Sequence, residues 1–411
     1  MFHLEIIHAH LVKQIDKDIS SKSPLAGIKV LDFGHTVMAP TCGLILADLG
    51  AEVVRIERVE GDPTRSLKGF GSGFFGYLNR NKESVAIDLK NPLSRPALER
   101  AIEWADVVIE NFGPEVMNRL GYGYAQMSGI NPRLVYCSLK GFLPGPYQAR
   151  PALDEVVQMM GGLAYMTGPV GQPIRAGASI VDMTGGMFGV IGITAALRAR
   201  EYTGQGAFVT SALYETTAFL VGQHMAMAQF GDTPVVPMPA RTQAWCLYDL
   251  CPCADGQMFI GITSDAQWNR FCVAFGLEEL QGDPRLATNT SRTVERPWLL
   301  PRLNEKFATL SMASMETLCK KAEVPFGPVR TPLDLLEDEH LRANGSLLEV
   351  TVGERRARVP AMPFRIDDHL PTVRLQPQDV GAQTGKYLQA WGLTDAESKE
   401  LFDQGAVAGP H

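Results

Sequence analysis

An acid followed closely by glycines and a long apolar run is a place where acyl chemistry can be done. Asp182 stands in such a place, within RAGASIVDMTGGMFGVIGITAALRARE (Arg175–Glu201), with Gly185 and Gly186 just after it. The segment before it is small and β-compatible. Gly185–Leu197 is apolar apart from Thr194, and Arg198 and Arg200 close it. At a strand-to-helix turn, unpaired backbone N–H groups and the helix dipole favour negative charge. An ionised Asp182 there is set to attack an acyl group as a covalent nucleophile. The same residue also reads as a plain helix N-cap, since Asp is among the preferred capping residues. The glycines would admit a bulky ligand close to the backbone, and N–H groups near Gly185 would stabilise an oxyanion.

The elements that position these groups alternate. Gly27–His35 reads as a buried strand, and Pro40 opens a short helical stretch that ends at Gly50. Glu52–Glu57, Ser84–Lys90, Asp106–Asn111 and Arg133–Lys140 are further strands, with helical Pro92–Trp104 and Pro114–Leu120 among them. Strands alternating with helices predict βαβ units and a mostly parallel sheet. Ligands of such sheets bind beyond the carboxyl ends of the strands, where His35, Arg58, Lys90, Asn111 and Lys140 fall. Arginine and lysine at those ends suit phosphates, although any one of them alone is an ordinary solvated side chain. No GxGxxG follows the first strand and no GxxxxGK[ST] occurs, which argues against a nicotinamide dinucleotide or a P-loop nucleotide.

Phe208–Phe230 is long enough for a helix, and the proline-rich stretch 231–241 reads as a linker. Asp255-Gly256 before Met258–Ile262 is a hairpin signal, and short helices follow up to about Ala322. A second linker covers 325–340. Strand-like Leu347–Val352 and Ala357–Val359 and a last helix near Thr384–Trp391 complete the chain. The expected architecture is α/β: a Rossmann-like large domain (24–230 with 341–411) carrying a smaller inserted α+β domain (242–324), after an N-terminal extension (1–23).

Composition narrows the function. The chain has 411 residues, 45% hydrophobic, enough for about two or three packed domains. Its 38 basic and 45 acidic side chains, net −7, argue against a general nucleic-acid binder. Gly185–Leu197 is too short to span a bilayer and reads as a buried helix. Seven scattered cysteines are not a disulfide framework, and a reducing cytoplasm is the expected location. Cys246, Cys251 and Cys253 lack a histidine at zinc spacing, so no metal is expected there. His3, His8 and His10 belong to an extension that is not a signal peptide.

Six blocks recur in a familiar order: PLAGIKVLDFGH, LADLGAEVVRIER, NRNKESVAIDLK, ADVVIENFGPEVMNRLG, NPRLVYCSLKGF and TGQGAFVTSALYE. With them the chain resembles the family III CoA transferases from about Pro24 onward. The resemblance implies a CoA thioester as substrate and an interlocked homodimer. It implies Asp182 as the catalytic aspartate, with Asp154 of PALDEVVQ as the acid placed close to it. It implies a CoA pocket from Val37 and Met38, Arg58, the segment Ile87, Asp88, Leu89 and Lys90, the turn Asn111, Phe112 and Gly113, and Arg119.

Two departures from the family pattern bear on substrate. Formyl-CoA transferase has a run of glycines that closes over the site, whereas the corresponding Met238–Trp245 has none. Arg65, Arg175 or Arg241 could pair with a second carboxylate on the acceptor, which points to a dicarboxylate such as succinate. The racemase branch places a histidine before the acid matching Asp154, but here that residue is Leu153. Racemisation needs a base and an acid on opposite faces of the α-carbon. A 2-methylacyl-CoA racemase and a non-catalytic acyl-CoA binding protein are the alternative readings.

Overall fold

The computed structural model describes residues 23–231, 234–241 and 243–410. The three N-terminal histidines, with nearly all of the expected extension, lie outside the described residues. The chain divides into two compact units, one built from residues up to Pro239 together with Arg342–His411, the other from Ala240–Leu341.

The larger unit is organised on a sheet of β1 (Lys29–Asp32), β2 (Glu52–Glu57), β3 (Lys82–Ile87), β4 (Val107–Glu110), β5 (Val135–Lys140) and β6 (Ala207–Ala212). These six run parallel in the order β3-β2-β1-β4-β5-β6. The reversal of direction lies between β1 and β4, the switch point at which such sheets bind ligands. The strands are rich in apolar residues because both faces are covered, and charged members such as Asp32, Arg55 and Lys82 are buried in ion pairs. Val30, Val53, Val107 and Val135 enter one core, while Leu31, Val54, Val108 and Tyr136 enter the other.

The crossovers are helical. Helix α1 (Met38–Asp48) follows β1, and α2 (Arg95–Trp104) follows β3. After β5 come α3 (Asp154–Met160) and the long α4 (Ile180–Thr203), which returns the chain to β6. Phe208–Phe230 is not one helix. Its start is the β6 strand, in which half-buried Ala207 and Val209 alternate with exposed Phe208 and Thr210 along the register with β5, and helices Leu213–Leu220 and Gly222–Phe230 follow. A short antiparallel hairpin, β10 (Leu347–Val352) with β11 (Arg355–Pro360), belongs to this unit, as does the edge strand β12 (Val407–Ala408), antiparallel to β3.

Helix α4 overruns the apolar stretch at both ends and has 24 residues, enough by length and composition to cross a membrane. Its glycines explain how it packs. A Cβ on Gly186 would stand 2.6 Å from the Met38 carbonyl oxygen, and one on Gly185 2.5 Å from the Met38 Cε. These glycines admit α1, not a ligand, which corrects the expectation drawn from the sequence.

In the smaller unit β7 (Tyr248–Cys253), β8 (Gly256–Gly261) and β9 (Phe326–Pro328) form an antiparallel sheet. Phe326–Pro328 pairs with β8, so the stretch expected as a linker supplies a strand. Cys246 and Cys251 are buried beside Trp268, Phe271 and Phe307, and all seven cysteines are free thiols.

Candidate active site

Crossover helices of a parallel sheet begin at its carboxyl edge, so the N-termini of α1 and α4 meet there. Asp182 is the third residue of α4, not its N-cap, and the segment before it is not a strand. Ser179 holds the capping position without making a side-chain cap. The free N–H groups of the first turn go instead to Asp154, from 27 residues upstream. Its Oδ2 accepts from the N–H of Val181 at 3.0 Å and of Asp182 at 3.1 Å. Gly185 is the sixth helical residue, where N–H groups already bond back to helical carbonyls. It therefore offers no oxyanion donor.

Asp154 is buried and saturated. Its Oδ1 accepts from Gln158 Nε2 at 2.5 Å and from Arg175 at 3.2 Å. Arg175 also donates to Glu155 at 2.7 Å and to the Ala178 carbonyl at 3.0 Å. By contrast, no described residue donates to the carboxylate of Asp182, which is half-buried. Burial, together with the charges of Asp154 and Glu155, pushes its pKa up to about 7; Arg175 opposes the shift. Glu155 carried no signal in the sequence beyond standing next to Asp154.

The cations separate into two groups. Arg58 follows β2, Lys90 follows β3 and Arg119 lies in the short helix Val116–Leu120; all three are exposed, and no carboxylate pairs with them among the described residues. They are open to phosphate oxygens. Arg65 is taken up by Glu57, at 2.6 and 2.9 Å, and by the Gln378 carbonyl. Arg175 is taken up as described. Both guanidiniums are thus ion-paired with carboxylates of the chain itself. Arg241 belongs to the smaller unit.

The remaining positions lie at the carboxyl ends of β1, β3, β4 and β5. Val37 and Met38 begin α1 with buried side chains, so what they can present to a ligand is backbone. Asn111 is stapled to His35: its Oδ1 accepts from the His35 N–H and its Nδ2 donates to the His35 carbonyl, both at 2.9 Å. Phe112 meets the His35 ring edge-on at 5.6 Å, and Gly113 beyond it is exposed. Burial lowers the pKa of His35. Lys140 bonds Glu110 at 2.8 Å and the Phe112 carbonyl at 2.7 Å, holding the turn in place. Ile87 is buried, Asp88 closes a turn by accepting from the Lys90 N–H, and Leu89 is half-buried.

A six-strand parallel sheet wound about one switch point, with helix N-termini and open cations at its carboxyl edge, defines an α/β enzyme of the dinucleotide-fold architecture. The model of CoA-transferase family III matches residues 25–384, and the chain belongs to that family. It is 32% identical to the formyl-CoA:oxalate CoA-transferase of Bradyrhizobium sp. (strain ORS 278), over 94% of this chain and 98% of that one. It is 31% identical to the succinate–glutarate CoA-transferase of Agrobacterium fabrum, over 79% and 84%. Among solved structures it is similar to a CAIB/BAIF family protein from Brucella suis, with a TM-score of 0.80 and 29% identity over 90% of this chain and 99% of that one.

Proposed function

We propose that this enzyme moves CoA from an acyl-CoA donor to a carboxylic acid, with Asp182 as the nucleophile. The observation that carries the reading is a half-buried carboxylate at the start of α4, unpaired among the described residues, with its pKa raised to about 7. A carboxylate that water and cations do not stabilise is a stronger nucleophile than a solvated one.

The steps balance. An Asp182 oxygen attacks the thioester carbonyl, the C–S bond breaks and CoA leaves as thiolate, giving an acyl-aspartyl anhydride. The thiolate attacks the aspartyl carbonyl and releases the donor acid, leaving an aspartyl-CoA thioester. The acceptor carboxylate attacks that carbonyl, and the thiolate then attacks the acceptor acyl carbon of the new anhydride. Asp182 is regenerated. Arg58, Lys90 and Arg119 bind CoA phosphates, and the backbone at Val37–Met38 and the turn Asn111–Gly113 line the approach. Asp154 positions Asp182 by holding the first turn of α4.

A dicarboxylic acid is the acceptor class best supported: the relatives above are named for oxalate, succinate and glutarate, all dicarboxylates. The absence of a glycine run in Met238–Trp245 supports a succinate-sized acid over oxalate. The racemase alternative loses support because Leu153, in place of the required histidine, is exposed. The family further supports a cytoplasmic homodimer. The test is a panel of acyl-CoA donors against mono- and dicarboxylates, with CoA products read by mass, for the native protein and Asp182→Ala. Exchange in the native protein lost in the variant is expected; turnover by Asp182→Ala would sink the assignment.

A further inference from the structure

Glu155 stands on α3 beside Asp154, half-exposed, and its carboxylate takes one arm of Arg175 at 2.7 Å. The other arm is divided between Asp154 at 3.2 Å and the Ala178 carbonyl at 3.0 Å. None of the hydrogen bonds of Arg175 goes to Asp182, although the guanidinium is close enough to act on it through space. A surface position would ordinarily leave Glu155 free in water. Here it is bound to Arg175, the one cation among the described residues that acts on Asp182.

We propose that Glu155 is a positioning residue for Asp182: by tying down Arg175 and adding its own charge, it keeps the Asp182 carboxylate under like-charge repulsion that acylation relieves. The inference rests on the transferase reading for its meaning. When Asp182 forms its C–O bond to the acyl carbon and the C–S bond breaks, negative charge moves from Asp182 to the departing CoA sulfur. That step takes charge away from Asp154 and Glu155. Among the described residues, the charged groups that act on Asp182 are Asp154 and Glu155 on α3 and Arg175 on the loop before α4; the α1 residue packed against the next turn of α4, at Gly185, is the neutral Met38. Glu155 is thus the exposed member of the set, and the one whose charge can be removed without opening the buried cap.

The experiment needs no substrate. The stability difference between the native protein and Asp182→Asn grows with pH until Asp182 ionises in the folded state, then levels off. That levelling pH is read from thermal unfolding between pH 4 and 9, in the native background and again with Glu155→Gln. Glu155→Gln is expected to move it down by about half a unit or more, and Arg175→Gln to move it up. The same levelling pH in the native and Glu155→Gln backgrounds would overturn the proposal, as would a downward move with Arg175→Gln. Failure of the transferase reading would show separately, as no exchange in the donor panel, with the titration unchanged.

Discussion

The Asp154 carboxylate accepts the backbone N–H of Asp182 at 3.1 Å, so one acid of the pair holds the helix turn that carries the other. A capping acid is ordinarily found one to three residues from the N–H it receives. Here it arrives from a separate helix, which couples the placement of Asp182 to the packing of α3 against α4.

Removing that cap is costly. Asp154→Ala would leave two helical N–H groups, Gln158 and part of Arg175 without their acceptor in a buried place. A loss of about 2–4 kcal/mol in urea unfolding is expected, with Asp154→Asn losing about half as much. Exchange should fall in both.

Asp182 works against the fold. Its folded pKa is raised, from 3.8 to about 7. Its protonated form is therefore the one the fold favours, and that contribution is complete below the unfolded pKa. It is lost as pH rises toward the folded pKa and does not change further above it. Asp182→Asn should thus be more stable than the native protein at pH 8 and equal to it near pH 4. The shift sets a ceiling of about 4 kcal/mol; partial solvent access reduces the expected gain to on the order of 1–2 kcal/mol. A native protein more stable than Asp182→Asn at pH 8 would contradict this.

Gly186 is required by helix contact. Gly186→Ala would drive a methyl group to 2.6 Å from the Met38 carbonyl oxygen and 3.0 Å from the Thr41 Cβ. Backbone cannot move aside as a side chain can, so a destabilisation of about 1–3 kcal/mol is expected in denaturant unfolding. Because the contact is with the first turn of α1, a raised KM for acyl-CoA should accompany it.

The open and the occupied arginines should behave differently. Arg58→Ala removes an unpaired cation and should raise the KM for acyl-CoA roughly tenfold, with weaker dependence on salt. Arg65→Ala leaves Glu57 buried without its partner and should lower stability by about 2–4 kcal/mol with KM little changed. Steady-state kinetics with thermal unfolding separates the two.

Much of this enzyme is legible in its sequence for a local reason. Strands covered on both faces are mostly apolar, so the runs about Val30, Val53, Val107 and Val135 announce a parallel sheet, while Asp32 and Arg55 within them are buried in ion pairs. The helices between them put Arg58, Lys90 and Asn111 at strand ends, and an acid ahead of a long apolar helix singles out Asp182. What the sequence left undecided are the pairings between distant residues. Arg58 and Arg65 look alike in a string of letters; only the fold brings Glu57 and the Gln378 carbonyl onto Arg65 and leaves Arg58 open. Likewise, Lys82 meets Asp32 across 50 residues at 2.8 Å, and Asp154 reaches the start of α4 across 27. Charge and hydrogen bonding act over a few ångströms of space, not along the chain. Tertiary structure therefore decides which acid, Asp154, has its carboxylate satisfied and which, Asp182, receives no hydrogen bond from any described residue.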